Sequence, residues 1–268
     1  ATIQSDGSWT TTVPAADVGT LADGASYQVS VSAQDSAGNS ASATHTISVD
    51  TSAPVISVNT LSGDDVLNAA EAQQPLTVHG SSSAEAGQTV TVSLNGKDYT
   101  TTVSANGSWT LNVPAADLAG LTDGSVTVTA SVTDAAGNTG SGTHNVTVDT
   151  GLPSVSFNAI SDDNVLNAVE KGQDLSVSGT SANLAEGTVV TVTLNGKNYT
   201  ATTAADGTWS LTVPAADLAG LGQASYTLNA TATNGVGNSV SSAANLLVDT
   251  ALPTVTINTV AGDNVINA

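Results

Sequence analysis

The chain has 268 residues, and its three Lys and no Arg stand against 23 Asp and Glu, giving a formal charge of −20. Without clustered cations it cannot form a surface that follows nucleic-acid phosphates or an anionic membrane, and without Cys it has neither disulfides nor a thiolate zinc site. No apolar run approaches the roughly 18 residues of a membrane span, so membrane insertion is not expected. The acidity either serves solubility or attracts divalent cations, because bound counterions relieve the self-repulsion of compact acidic domains.

The sequence repeats with a period of one domain. Trp9, Trp109 and Trp209 are each 100 residues apart, and each is followed by a Val-Pro-Ala-Ala-Asp segment. A Val-Asp-Thr segment shortly before a proline marks each junction between repeats. These marks divide the chain into the C-terminal half of a repeat at 1–50, complete repeats at 51–149 and 150–249, and the N-terminal edge of a further repeat at 250–268.

Within each repeat, apolar and polar residues alternate with period two, which predicts β-strands that bury one face. A proline at a first helical position predicts a single helical turn over 114–121. Seven short strands in about 100 residues are typical of an immunoglobulin-like sandwich. We therefore predict an all-β chain of tandem sandwiches arranged as an elongated rod. In the repeat at 51–149 the predicted strands are 54–60, 75–80, 88–95, 97–104, 107–113, 125–133 and 141–149.

Each repeat carries one tryptophan, and a lone large aromatic side chain in a light domain is typically its core anchor. The alternative for Trp9, Trp109 and Trp209 is a stacking platform for sugars. His45 and His144 share one repeat position, but no Ser or Cys nucleophile recurs beside them, so we assign them to the strand surface. We predict that the chain is not an enzyme.

The carboxylates carry the metal prediction, and sandwich topology places them. The loop after the first strand reaches the far pole, so Asp64 and Asp65 should lie near the end of the last strand. The loops after the second and sixth strands return to the near pole, which places Glu85 and Asp134 beside the linker residue Asp50. Hard oxygen ligands from separate loops suit Ca²⁺. The alternative is that these residues only form turns and caps, with Asp65 capping the short turn at 68–71.

The chain carries five motifs: Val-Asp-Thr-x-x-Pro, Gly-Asp-Asp-Val-Leu-Asn-Ala-Ala-Glu, Leu-Asn-Gly-Lys-x-Tyr, Gly-Ser-Trp-x-Leu-x-Val-Pro-Ala-Ala-Asp-Leu and Thr-Asp-Ala-Ala-Gly-Asn. Together they resemble the bacterial Ig-like repeats of giant type I-secreted adhesins, such as the giant non-fimbrial adhesin of Salmonella and biofilm-associated surface proteins. The resemblance covers essentially the whole chain and implies calcium that stiffens the rod at Asp50 and Asp134 in the first junction and at Asp149 in the second. The third repeat departs from it, because Asn234 stands where Asp35 and Asp134 stand.

The candidate Ca²⁺ ligands lie in the junctions and far-pole loops, and all of them except Asn234 are carboxylates. The second junction offers fewer carboxylates than the first, so it should bind calcium more weakly. The full set is Asp50, Glu85, Asp134, Asp149, Glu186, Asn234, Asp64, Asp65, Asp162 and Asp163.

The resemblance implies export to the bacterial cell surface and a mechanical function. We expect a calcium-rigidified, monomeric stalk segment that projects a distal binding region toward a host cell, with roles in biofilm formation and virulence, and whose partners are the neighbouring repeats and host-surface glycans. The alternative is that the Ig-like domains themselves bind host glycans or proteins. Such a site would need exposed aromatic side chains, for which the candidates are Tyr27, Tyr99, Tyr199 and Tyr226.

Overall fold

The structure is a computed structural model that describes residues 1–259. Residues 263–267 read Asp-Asn-Val-Ile-Asn, like the acidic loops at 64–68 and 163–167, and are expected to form the same loop in the edge of a further repeat; they lie outside the described residues. The chain forms two compact units by its internal contacts. The first comprises Ala1–Asp65, Pro75–Leu121 and Ser125–Thr147, and the second comprises Val66–Gln74, Thr122–Gly124 and the described chain from Val148 onward.

Up to residue 149, strands follow one another in chain order, broken by two short helical turns and one 3₁₀ turn at Glu71–Gln73. The elements are α1 (Ala15–Val18), β1 (Ser26–Gln34), β2 (Ser40–Ser48), β3 (Ile56–Val58), β4 (Val66–Asn68), β5 (Leu76–Ser82), β6 (Thr89–Leu94), β7 (Lys97–Thr102), β8 (Ser108–Val113), α2 (Ala115–Leu118), β9 (Gly124–Thr133) and β10 (Thr139–Asp149).

The same series recurs from residue 150 onward, with a 3₁₀ turn at Glu170–Gly172. Its elements are β11 (Ser154–Phe157), β12 (Val165–Leu166), β13 (Leu175–Ala182), β14 (Val189–Leu194), β15 (Lys197–Thr202), β16 (Thr208–Val213), α3 (Ala215–Leu218), β17 (Ala224–Thr233) and β18 (Ser239–Val248).

The first unit contains a three-stranded antiparallel sheet of order β3-β5-β8 and a sheet in which β10, β9, β6 and β7 are neighbours in that order. It also contains the hairpin of β1 and β2, which is a sheet of its own. The seven strands predicted for the repeat at 51–149 are all present. Their alternation is visible in the burial of β6, where Val90, Val92 and Leu94 point inward and the residues between them are more exposed.

The second unit is a complete sandwich with sheets of order β11-β13-β16 and β12-β18-β17-β14-β15. One buried cluster joins residues of both sheets, including Val177 of β13, Val192 of β14 and Leu246 of β18. Apolar faces from two sheets that meet in one core define an immunoglobulin-like sandwich. The predicted all-β, tandem Ig-like fold is therefore confirmed.

Trp109 and Trp209 anchor their cores, since each is only 2% exposed. Each ring lies over a glycine on the neighbouring strand, Gly80 or Gly179, which pairs with the tryptophan in the sheet register. A Cβ at Gly179 would lie 2.5 Å from the Trp209 ring and 1.8 Å from the Ser156 carbonyl oxygen. The position therefore requires glycine because the ring and a backbone strand approach it closely.

Trp9 differs from the other two tryptophans, because its side chain is 45% exposed. The described residues 1–50 hold α1 and the two strands β1 and β2, and these strands are exposed almost throughout. Within residues 1–259 the hairpin forms a two-stranded sheet of its own, so Trp9 has no closed core to enter. The prediction that it serves as a buried anchor is wrong for this structure.

β4 and β12 were not predicted, because both segments follow directly on acidic residues and were expected to form loops. β12 pairs in parallel with the last strand β18, through Val165 with Leu247 and Leu166 with Val248. Leu67 in β4 and Leu166 in β12 are both buried. A strand of two or three residues is too short to show an alternating pattern, so only its pairing reveals it.

Candidate metal site at the repeat junctions

A five-residue loop follows β9 and carries the predicted ligand Asp134. The Asp134 N–H donates to the Asn138 carbonyl at 3.0 Å, and the Asn138 N–H returns a bond to Asp134 Oδ1 at 2.8 Å. Gly137 closes the loop at a φ of +100°, a conformation that glycine adopts at no steric cost. An Asp at the first position, Gly at the fourth and Asn at the fifth thus make this turn locally. We call residues 134–138 the first junction loop.

The first junction loop is tied to the preceding linker by the Asn138 side chain. Its amide nitrogen donates to the Asp50 carbonyl at 3.2 Å, to Asp50 Oδ1 at 3.4 Å and to Asp134 Oδ2 at 3.1 Å. Glu85, in the loop after β5, accepts a hydrogen bond from the Ala135 N–H at 3.1 Å through Oε2. The structure therefore brings the three predicted residues Asp50, Glu85 and Asp134 around one loop.

Asp134 is 8% exposed, and the pKa of its carboxyl is lowered. Burial raises the pKa of this carboxyl, but hydrogen bonds from Asn138 and from the Gly137 and Ala136 N–H groups stabilise the ionised form more and lower the pKa overall. The carboxylate is therefore ionised at neutral pH and available as a hard oxygen ligand.

In the described part of the chain, no three His, Cys, Asp or Glu side chains lie close enough together to hold a metal ion. Asp50 and Glu85 are both exposed and contact the first junction loop rather than each other. A cation at this point would need these carboxylates to turn inward, together with carbonyl or amide oxygens, because Ca²⁺ takes about six to eight oxygen ligands.

The second junction loop, residues 234–238, has the same backbone with an amide at its first position. The Asn234 N–H donates to the Asn238 carbonyl at 2.9 Å, and the Asn238 N–H donates to Asn234 Oδ1 at 2.9 Å. The Asn238 amide nitrogen donates to the carbonyls of Asp149 at 2.9 Å and Gly151 at 3.3 Å. The predicted residues Asp149 and Asn234 therefore meet the same asparagine.

Asn238 makes one further contact, because its Oδ1 accepts a hydrogen bond from the Ala69 N–H at 2.7 Å. Asn238 is 2% exposed, so this amide is a buried and fully used connector within the second unit. Glu186, the third predicted ligand here, is exposed, and none of the hydrogen bonds described between residues 1 and 259 joins it to the second junction loop.

The far-pole loops hold the remaining predicted ligands. Asp65 does not cap the turn at 68–71, as one alternative had it, because Asn68 Oδ1 accepts the Ala70 and Glu71 N–H groups instead. Asp65 Oδ1 accepts the Leu61 N–H at 2.8 Å and contacts His144 Nε2 at 2.6 Å. These two partners, the backbone N–H first, lower the pKa of the Asp65 carboxyl. Asp64 is exposed beside it.

The equivalent loop of the next repeat replaces this carboxylate by an amide. Asn164 Oδ1 accepts the Ile160 N–H at 2.9 Å, while Asp163 Oδ1 accepts the Val165 N–H at 2.9 Å. Asp162 is exposed at a φ of +63°. Asp162 and Asp163 thus belong to the local turn, as the turn-forming alternative expects.

His144 lies in β10 but is not a free surface residue, since its side chain is 24% exposed and contacts Asp65. The two residues are 79 positions apart, so the contact could not be read from local pattern. His45, at the equivalent position, is exposed.

Sequence reasoning also missed Asn138 and Asn238 as connectors, although the signal was present. An asparagine stands four residues after the first residue of each loop, at Asn39, Asn138 and Asn238. A second contact that the sequence did not reveal joins Asp123 to the linker after β10. Asp123 Oδ1 accepts the Thr150 N–H at 2.9 Å and the Thr150 hydroxyl at 2.8 Å. These bonds lower the pKa of the Asp123 carboxyl.

A third missed group joins the hairpin of β6 and β7 to helical turn α2. Lys97 Nζ lies 2.6 Å from Asp117 Oδ1, and the Tyr99 hydroxyl donates to Asp117 Oδ2 at 3.0 Å. The next repeat reproduces it with Lys197, Tyr199 and Asp217. The remaining lysine, at 171, donates to a backbone carbonyl. Every lysine of the chain is therefore engaged, which leaves the described surface without an unpaired cationic side chain.

The fold and these linkers define a class: a tandem array of Ig-like sandwiches whose connecting segments are hydrogen-bonded to loops of the adjoining sandwich. The family model of the bacterial Ig-like domain matches residues 53–150 and 158–250. The chain belongs to the family of bacterial Ig-like domains.

Solved structures of large bacterial adhesins are similar to this chain. One, described as a 1.5-MDa bacterial ice-binding adhesin in a study of host cell surface retention, is 35% identical, with a TM-score of 0.52 over 93% of this chain and 82% of its own. Another, a Ca²⁺-stabilized adhesin with which an Antarctic bacterium binds ice, is 36% identical, with a TM-score of 0.52 over 93% of this chain and 62% of its own. A single Ig-like domain of the M. primoryensis ice-binding adhesin is 41% identical over 36% of this chain and 98% of its own, with a TM-score of 0.30.

No curated protein matches the chain. None of the helices in residues 1–259 has the length and apolar character needed to cross a membrane. The expected likeness to repeats of giant adhesins is confirmed by the family match and by the two adhesins with the higher TM-scores.

Proposed function

We propose that this chain is a calcium-rigidified stalk segment of a secreted bacterial surface adhesin, which projects a distal binding region for host-cell attachment. The observation that carries the proposal is the Asn138 side chain, which ties the linker residue Asp50 to Asp134 of the first junction loop. A linker fixed to the loop of the following sandwich is what a stiff connection between repeats requires.

The oxygen ligands available at the first junction are of the kind that Ca²⁺ binds. They are carboxylates, a side-chain amide and a backbone carbonyl, which are the hard oxygen ligands that calcium prefers over thiolate or imidazole. A net charge of −20 favours cation binding further. The carboxylates of Asp50, Glu85 and Asp134 would coordinate one Ca²⁺, and this coordination would hold the linker to the loop more firmly than the hydrogen bonds do. The relative described as Ca²⁺-stabilized supports the same assignment.

The stalk role extends to the organisation and location of the full protein. We place domain boundaries at 51–149 and 150–249, with a partial repeat on either side, and assign the chain to the bacterial cell surface after type I secretion. The relative studied for cell surface retention supports this location. Contact with a host cell, and roles in biofilm and virulence, would then belong to the full-length protein.

The alternative, direct binding of glycans or proteins by these domains, finds no support in the tyrosines; Trp9 is exposed, but it lies in the partial repeat at 1–50. All four tyrosines are half-buried and their hydroxyls are engaged. Tyr27 and Tyr226 accept backbone N–H groups at 2.8 and 2.9 Å, and Tyr99 and Tyr199 donate to Asp117 and Asp217. A sugar platform would need an aromatic face that is free.

Calcium titration of paired charge variants tests the proposal. Asp134→Asn should weaken calcium binding at the first junction, because ligand charge sets affinity. Asp98→Asn removes the same charge from the exposed β7 of the same repeat and should leave the affinity unchanged. Equal effects of the two variants in calorimetric titration would mean that calcium responds to overall charge, and the junction site would be rejected.

A further inference from the structure

The second junction loop holds an asparagine followed by glycine where the other two repeats hold an aspartate. Asp35 and Asp134 occupy the first position of their loops, and Asn234 followed by Gly235 occupies it in the third. We propose that Asn234 is a site of spontaneous deamidation, which converts this loop to the acidic form of the other two. The conversion needs no partner except water.

Both acidic loops show what their first position is built to hold. In the first junction loop, Asn138 donates its N–H to Asp134 Oδ1 at 2.8 Å and its amide to Oδ2 at 3.1 Å. In the loop at 35–39, Asn39 gives the same two bonds to Asp35, both at 2.9 Å. Two oxygens at this position therefore satisfy two donors of one asparagine.

The second junction loop keeps the two backbone N–H donors, whereas its Asn238 amide donates elsewhere, to the carbonyls of Asp149 and Gly151. The N–H groups of Val236 and Asn238 both point at Asn234 Oδ1, at 3.2 and 2.9 Å, which identifies that atom as the oxygen. The other atom is then an NH₂ group, which accepts no hydrogen bond. Conversion to a carboxylate would replace this NH₂ group by a second oxygen, as at Asp35 and Asp134.

The same two N–H groups favour the chemistry. The Gly235 backbone nitrogen, once deprotonated, attacks Asn234 Cγ, and the negative charge that develops falls on Oδ1. Two N–H donors already aimed at that oxygen act as an oxyanion hole. The Nδ2 group takes up a proton and leaves as ammonia, and a cyclic imide remains. Water then opens the imide at Cγ to give aspartate, or at the backbone carbonyl to give isoaspartate.

The Gly235 N–H makes no backbone hydrogen bond in the described residues, and the residue has open space around it. It is exposed, and a Cβ built on it meets no atom within 4 Å. The other Asn-Gly pairs are held differently. At Asn106 the Gly107 N–H is bound to the Ser104 carbonyl at 2.9 Å, and Asn95 and Asn195 sit at φ +50° and +47° in turns closed by paired strands.

Conversion would give the second junction a carboxylate at the position where the first junction has Asp134. Only this consequence, tighter calcium binding, rests on the proposed function. The deamidation itself depends on the loop alone, so the two can fail separately.

The test is incubation of the purified chain in mildly alkaline buffer without calcium, followed by peptide mapping with mass spectrometry. Asn234 should convert several times faster than Asn95, Asn106 and Asn195, with release of ammonia. The matched control is Gly235→Ala, which the open space at this position accommodates and which reproduces the Ala135 of the first loop. It should abolish most of the conversion.

Retention of the Asn234 amide while the other Asn-Gly pairs convert, or equal conversion in Gly235→Ala, would overturn the proposal. Calcium titration of fresh chain, aged chain and Asn234→Asp completes the experiment. Affinity should rise in the last two. Conversion without a rise in calcium affinity would confirm the deamidation and would contradict a calcium site at the second junction.

Discussion

The Tyr199 hydroxyl donates a hydrogen bond of 3.0 Å to Asp217 Oδ2. Burial first, and then this bond and the negative charge of Asp217, raise the pKa of Tyr199 to about 12. In an unfolded chain, tyrosine has a pKa of about 10. Because the folded pKa is the higher one, the stabilisation is complete below about pH 10 and is lost as the pH rises toward the folded value.

The first prediction is therefore a fall in the free energy of unfolding as the pH rises from about 10 to about 12. Tyr199→Phe, which cannot titrate, should show a smaller fall across this window. Urea unfolding at a series of pH values, monitored by the fluorescence of Trp209, measures it. Parallel pH profiles for the two chains would show that Tyr199 does not contribute.

Asn238→Ala should destabilise the second unit by about 1–3 kcal/mol, because it leaves the Ala69 N–H and the Asp149 carbonyl without partners in a buried place. The control is Asn138→Ala, where the connector is half-buried and water can replace it. Chemical denaturation should show the larger loss for Asn238. A larger loss for Asn138 would contradict the role of burial.

Trp109→Ala and Trp209→Ala should each cost about 3–5 kcal/mol, as expected for truncation of a large core side chain. Trp9→Ala should cost much less, since Trp9 is 45% exposed. Melting curves of the three variants test this difference. A small loss for Trp209, with its ring edge-on to Phe157 at 5.5 Å between ring centroids, would mean that the core does not depend on its anchor.

Calcium should leave the second junction before the first. The first offers the carboxylates of Asp50, Glu85 and Asp134, whereas the second offers Asp149 and Glu186 with the amide of Asn234, and ligand charge tunes calcium affinity. Chemical-shift titration can monitor each loop separately. Freshly prepared Asn234→Asp should tighten the second junction, and equal affinities in the unmodified chain would contradict this order.

The repeating pattern predicted much of the fold. The alternation predicted the seven strands of the complete repeat, and the proline before α2 predicted its helical turn. The tryptophans at 109 and 209 were correctly predicted as core residues. β4 and β12 escaped because two or three residues are too few to show a periodic pattern, and β12 is revealed by its pairing with β18.

The connectors could be predicted only in part. Topology placed Asp50, Glu85 and Asp134 near one loop, because loops at one pole of a sandwich meet whatever their sequence. Which atom joins them depends on packing: Asn138 and Asn238 act through side chains aimed at linker carbonyls. The His144 contact with Asp65 likewise depends on strand register over a long separation.

Small-angle X-ray scattering with calcium and then with chelator, paired with melting curves of the same samples, tests the stalk account most directly. Calcium that binds the folded junctions should raise the melting temperature by mass action and increase the radius of gyration, because rigid linkers hold the repeats apart. Chelator should reverse both changes. If chelation alters neither the melting temperature nor the radius of gyration, calcium does not rigidify this chain.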